Sequence, residues 1–141
     1  MSRISTKIRE VVRDRANQCC EYCHIPEQYG RLSFQADHII PPMHGGGDDI
    51  DNLAWACFRC NNRKGTNIST IDSITQQITT LFHPRNENWD EHFELLPNGT
   101  IVGRTSKGRG TLKLLDINAT NDVQIRQLCI QLGLLILTDN L

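Results

Sequence analysis

No uninterrupted apolar run in the 141-residue chain approaches the ~18 residues that a membrane-spanning helix needs, so no membrane partner is expected. No apolar stretch follows the charged N-terminal residues Met1 to Lys7 either, as a secretory leader would require. A cytoplasmic location is the expectation. Internal repeats, low-complexity tracts and linkers are missing, which points to one domain over residues 1–141 with a modest core. Positive charge is also in short supply: 15 Lys and Arg stand against 16 Asp and Glu, for a net charge of −1. That balance excludes a basic surface spread over the whole protein, so any footprint for phosphates has to be local. Candidate groups are Arg3, Lys7, Arg9, Arg13 and Arg15, then Arg59, Arg63 and Lys64, then Arg104, Lys107, Arg109 and Lys113. The last group lies in a stretch without any acidic residue, from Ile101 to Leu115. Charge runs of this kind are more often solvated faces than binding sites.

Cysteine is what the chain does have. Six are present, and four form two Cys-x-x-Cys pairs, Cys20 with Cys23 and Cys57 with Cys60. In a reducing compartment such pairs read as metal ligands before disulfides. Four thiolates at this spacing suit a closed tetrahedral zinc site, which stabilises rather than reacts because no coordination position is open. Bound thiolates and Zn²⁺ together would make the net charge about two units more negative. Cys19 stands at the wrong offset to Cys23, and Cys19 and Cys129 read as thiols outside the site. A redox role for either pair lacks the strand–helix–strand context it would need.

Between and beyond the cysteine pairs lie Asp37-His38, Asn52 and Asn61-Asn62-Arg63-Lys64. A histidine titrates near neutral pH and can take a proton from water, which makes His38 the candidate general base. Asp37 can ligate a hard divalent cation, and Asn61 can offer an amide oxygen from the start of a helix. Neighbouring strand residues face opposite ways, so Asp37 and His38 can serve one phosphate only where the strand ends or twists. Asn52 is expected to pin the glycine loop Gly45–Gly47, letting a nearby carbonyl hold the His38 ring. Asn62, Arg63 and Lys64, with Arg59, are placed to meet backbone phosphates. Taken singly, an Asp-His pair is usually a surface turn and an isolated Asn a turn or cap residue. Their joint placement within the cysteine frame reverses that reading and points to metal-assisted phosphodiester cleavage.

Periodicity predicts a helix over Lys7–Asn17 capped by Thr6, with Ile8, Val11 and Val12 on its inner face. Short strands are predicted at Leu32–His38 and Asn52–Ala56, and a helix from Phe58 to Lys64 ended by Gly65. Further on, a strand is predicted over Ile74–Leu81 and a hairpin about Pro97-Asn98-Gly99. Two helices should follow, Ser106–Leu115, interrupted by Gly108 and Gly110, and Asn121–Leu132, capped by Asn121. The apolar tail Leu134–Leu137 reads as core in preference to a dimer contact.

Asp37-His38-Ile39-Ile40-Pro41, Gly45-Gly46, Asp51-Asn52-Leu53, Cys57 to Cys60 and Asn61-Asn62-Arg63-Lys64-Gly65 together strongly resemble the HNH endonuclease family, over about residues 16–66. The resemblance implies a zinc-stapled ββα-metal, treble-clef-like core at 16–66; with the N-terminal helix and the hairpin-plus-helices extension read over 67–141, the expected fold class is α+β. It also implies DNA cleavage with one divalent metal, Mg²⁺ or Mn²⁺. His38 would be the general base, Asn52 the middle Asn, and Asp37 and Asn61 the catalytic-metal ligands. Asn61 stands where His is common in the family, an HNN variant that keeps an oxygen donor and favours hard ions. The substrate implied is double-stranded DNA, intact, nicked or structured, cut by a monomer or homodimer. Two other readings stay open, a non-catalytic zinc-dependent nucleic-acid-binding module and a nuclease acting on RNA. His44, His83, Arg85 and His92 have no assigned role, and a structural one is the simpler reading for the last three.

Overall fold

The computed structural model describes residues 4–137; Arg3, one of the basic candidates, lies outside them. The architecture is α+β, with helices and two-stranded antiparallel sheets among the described residues. The chain splits into two compact units, Met1–Ile68 with His83–Asn86, and Ser69–Phe82 with Glu87–Leu141.

The first unit opens with α1, Thr6–Arg15. Its cap is Ser5, whose Oγ accepts from the Ile8 N–H at 3.2 Å, so the expected cap Thr6 is the first helical residue. Arg13 and Arg15 sit in the last turn, where cations suit the helix dipole. Val12 is fully buried and Ile8 half-buried, but Val11 is 44% exposed, because a step of one residue turns about 100° around the helix. Strand β1, Gln35–His38, pairs antiparallel with β2, Leu53–Ala56, in a register that sets Asp37 opposite Ala54 and His38 opposite Leu53. Helix α1 packs on both strands, and α2, Phe58–Lys64, packs on β1. Every residue of β2 is buried. Phe34 and Trp55 meet at 6.2 Å between ring centroids and, with Val12, Tyr22, Ile25, Ile39 and Leu53, make the core. Two strands and this handful of side chains are a thin basis for independent stability, so a metal staple has work to do here.

In the second unit, β3 (Ser69–Ile71) pairs with β4 (Ile78–Thr80). The single strand expected over Ile74–Leu81 is therefore half strand and half turn. Its reason is Asp72, whose carboxylate accepts from the N–H groups of Ile74 and Thr75 and so diverts them from a ladder. Arg109 grips the same carboxylate with two bonds of 2.9 Å and holds it well below the usual carboxylate range. Next come α3, Trp89–His92, and the Asn-Gly hairpin of β5 (Phe93–Leu95) with β6 (Ile101–Gly103). Helix α4, Ser106–Leu114, runs without interruption. Its glycines allow close approach rather than breaking it: a Cβ on Gly108 would lie 2.0 Å from the His92 carbonyl oxygen. Helix α5 is Thr120–Gln131 with Ala119 at its start and no side-chain cap, so Asn121 lies inside the first turn. Leu134 and Ile136 are 44% and 79% exposed, which rules out the tail as core. No helix among the described residues is long and apolar enough to cross a membrane.

Candidate metal and catalytic centre

In both cysteine pairs the first sulfur accepts from the backbone N–H of the second cysteine. In the first, the Cys20 N–H bonds the Ile25 carbonyl and the Cys23 N–H reaches Cys20 Sγ at 3.5 Å. In the second, Cys57 caps α2, its Sγ accepting from the Cys60 N–H at 3.4 Å. All four sulfurs are buried and lie within 4.8 Å of one another, Cys23 and Cys57 at 3.7 Å. Zn–S bonds of about 2.3 Å in a tetrahedron put sulfurs about 3.8 Å apart, so the cluster fits zinc. Hydrogen bonds within the cluster, first from Cys20, pull the Cys57 thiol down and push Cys23 and Cys60 up. Four thiolates cannot share this volume without a cation. Cys19 and Cys129 stand outside the cluster, and burial pushes the Cys129 thiol up.

The cluster ties β2 and α2 to the first knuckle. Tyr22, in that knuckle, is buried, and its hydroxyl donates to Asp37 Oδ2 at 2.9 Å. Burial pushes the Tyr22 phenol up, which keeps it a donor. Ala54 stands opposite Asp37 across the ladder, and Lys64 of α2 reaches the Asp37 carboxylate. The Lys64 ammonium lies 3.2 Å from Asp37 Oδ2 and 3.4 Å from Oδ1, and donates to the His38 carbonyl at 2.8 Å. Lys64 is only 1% exposed. It therefore corrects the expectation of a phosphate contact: this ammonium is the buried counter-ion of Asp37. Burial raises the Asp37 carboxyl, and Lys64 and then Tyr22 offset part of that rise.

Strand alternation is kept to the end of β1. Asp37 turns inward, while His38 turns to the glycine loop, its Nε2 lying 2.7 Å from Asp48 Oδ1. The ring partner is a carboxylate, where a backbone carbonyl was expected. Asp48, directly after three glycines, belongs to no motif that the sequence displays. Asn52 does pin that loop. Its Oδ1 accepts from the Ile40 N–H at 2.9 Å, and its Nδ2 donates to the carbonyls of Ile40 and Gly47 at 3.0 and 2.8 Å. Gly46 makes this possible, since a Cβ there would lie 1.7 Å from the Ile40 oxygen. Replacing Asn52 by Ala is expected to lower stability by about 1–3 kcal/mol through the orphaned backbone groups and to speed exchange of the Ile40 amide. Urea unfolding and hydrogen exchange check both; unchanged protection at Ile40 would show that the loop holds itself.

Asn61 stands half-buried in the first turn of α2, next to the ligand Cys60 and one turn before Lys64. Its amide and the Asp37 carboxylate are both hard oxygen donors, and a carboxylate has about four acceptor sites, so the pair suits a hard divalent ion in chemistry. Such an ion would share Asp37 with Lys64. Asn62 and Arg63 are exposed on α2, and Arg59 is half-buried.

Several of the other basic groups find partners within their own units. Arg13 pairs with Glu27 at 3.0 Å, Arg15 donates to the Leu53 carbonyl at 2.7 Å, and Arg9 lies 5.8 Å over the Trp55 ring. In the acid-free stretch, Arg104 pairs with Glu94, Lys107 with Glu87 and Arg109 with Asp72. Among the unassigned residues, Arg85 pairs with Glu21, and His83 Nδ1 accepts from the Arg85 and Asn86 N–H groups. His92 Nδ1 meets the Thr105 hydroxyl at 2.7 Å, and His44 Nε2 meets the Thr66 carbonyl at 3.0 Å.

No curated protein and no solved structure matches the chain. One family does. Residues 20–67, which hold both knuckles, β1, the glycine loop, β2 and α2, match the family described as HNH endonuclease. The match covers that segment alone and suggests nuclease activity for it, and the same segment holds the four-cysteine cluster suited to zinc.

Proposed function

We propose that the protein is a zinc-stabilised, divalent-metal-dependent endonuclease that nicks double-stranded DNA, with His38 as the general base. One observation carries the reading. His38 stands at the open end of β1, its ring half-buried against a loop that Asn52 locks to the next two residues of the chain. An imidazole held in this way suits proton abstraction from a water attacking in line with the leaving 3′-oxygen. Asp37 and Asn61 would hold Mg²⁺ or Mn²⁺, which supplies charge stabilisation at the phosphate and the leaving oxygen. Arg59, Asn62 and Arg63 are the candidates for the flanking phosphates, and the products would carry a 5′-phosphate and a 3′-hydroxyl. Residues 1–141 would act as one functional domain in the cytoplasm, where the cluster's thiols stay reduced.

A plasmid-nicking assay with Mg²⁺ tests it. His38→Ala is expected to slow nicking by about 10²–10⁴-fold, the usual contribution of a positioned base, without changing zinc content. Equal cleavage by both proteins would reject the mechanism. A second reading, a zinc module that binds nucleic acid without cutting it, is favoured by the Asp37–Lys64 pair, which already gives the carboxylate a cation. It requires DNA binding with no Mg²⁺-dependent nicking in the wild type. Cleavage of RNA but not DNA in parallel reactions would keep His38 as the base and change the substrate.

A further inference from the structure

We propose that Asp48 is the positioning residue for His38, and that it makes Nδ1 the ring nitrogen that accepts the proton. The inference rests on the nuclease reading above and adds to it a residue and a tautomer. Asp48 Oδ1 lies 2.7 Å from His38 Nε2. A carboxylate only accepts, so Nε2 carries the hydrogen and the lone pair of the neutral ring is on Nδ1.

The contact is more than a chance surface pair, because one residue frames both partners. Asn52 donates from Nδ2 to the Gly47 carbonyl and from its backbone N–H to the Asp49 carbonyl, both at 2.8 Å, bracketing Asp48 from either side. The same Asn52 accepts from the Ile39 N–H on its backbone oxygen and from the Ile40 N–H on its side chain, just past His38. The loop carrying the carboxylate and the strand end carrying the imidazole are thus fastened to a single side chain and its peptide groups. Asp37 bonds Tyr22 and Lys64 rather than the ring, and the Lys64 ammonium binds the His38 carbonyl.

In the reaction the water proton passes to Nδ1 while the water oxygen's electron pair forms the new bond to phosphorus. The bond from phosphorus to the 3′-oxygen breaks with its pair on that oxygen, which takes a proton from solvent. His38, now an imidazolium, is stabilised by the Asp48 carboxylate on its far nitrogen and returns its proton to solvent. Asp48 touches neither water nor phosphate; it acts through the ring.

The zinc-loaded protein provides two readouts. Nitrogen-15 spectra of the histidine rings at alkaline pH, with His38 assigned by its loss in His38→Ala, are expected to report hydrogen on Nε2. In Asp48→Ala the ring should redistribute between tautomers. Plasmid nicking with Mg²⁺ should show kcat falling about 10–100-fold in Asp48→Ala, with KM for DNA within about twofold and partial recovery in Asp48→Glu. An unchanged tautomer with unchanged kcat would overturn the proposal, as would an effect confined to KM or a faster Asp48→Ala enzyme. If His38→Ala is inactive while Asp48→Ala cuts like wild type, this inference alone fails. If His38→Ala itself cuts normally, the nuclease mechanism fails with it.

Discussion

Removing metal from the four-cysteine cluster is expected to unfold the first unit. Structural zinc contributes on the order of 10 kcal/mol to small domains, about the whole stability of a typical one, roughly 5–15 kcal/mol. Here the sheet has two strands, and both knuckles close on the cluster. Without the ion, Cys57 no longer anchors the start of α2 to the first knuckle, and Lys64 and Asn61 lose their placement with it. Trp55, 3% exposed in this unit, is the reporter, in a Trp89→Phe background that silences the indole of the second unit. Chelation should red-shift its emission and abolish its melting transition, and one zinc per chain should be released. Cys57→Ser should reproduce the loss. A stripped protein that kept its transition would show that the core stands alone and that the cluster is incidental.

Lys64→Met is expected to cost about 3–5 kcal/mol, the penalty for leaving one member of a buried ion pair without its partner. Both ends are deep, Lys64 at 1% and Asp37 at 6% exposure, so solvent cannot replace the missing charge. The pH dependence has a definite sign. Burial first raises the Asp37 carboxyl, against the pull of Lys64. An acid raised on folding contributes stability below its unfolded value, and that contribution is lost as pH rises through the folded value. Deleting Lys64 raises Asp37 further, so the deficit of the variant should deepen as pH rises from the ordinary carboxylate value, about 4, through the neutral range. Adding Asp37→Leu should recover much of it, because an apolar pair often replaces a buried ion pair at little cost. Urea denaturation of both single variants and the double variant across that range reads the coupling directly. A cost for Lys64→Met below about 1 kcal/mol, the value of an exposed pair, would mean that water reaches the site.

What was legible in the sequence is what local spacing dictates. A Cys-x-x-Cys turn brings its own sulfurs together, so two such pairs announced a zinc cluster before any fold was known. Phe58–Lys64 is helical and stops before Gly65 because caps and glycine act within one turn. Asn52 pins the glycine loop as expected, since it stands only a few residues beyond the loop it bonds. The Asn-Gly hairpin appears for the same reason. Tertiary structure alone decided which partners meet across distance. No spacing rule sends Lys64 inward to Asp37, 27 positions away, rather than outward to a phosphate. None sets Asp48 on His38, or brings acid partners to Arg104, Lys107 and Arg109. A charge on a chain is defined locally, but its partner is chosen by which surfaces the apolar residues bring together. That choice is non-local, and it exists only once the core has closed.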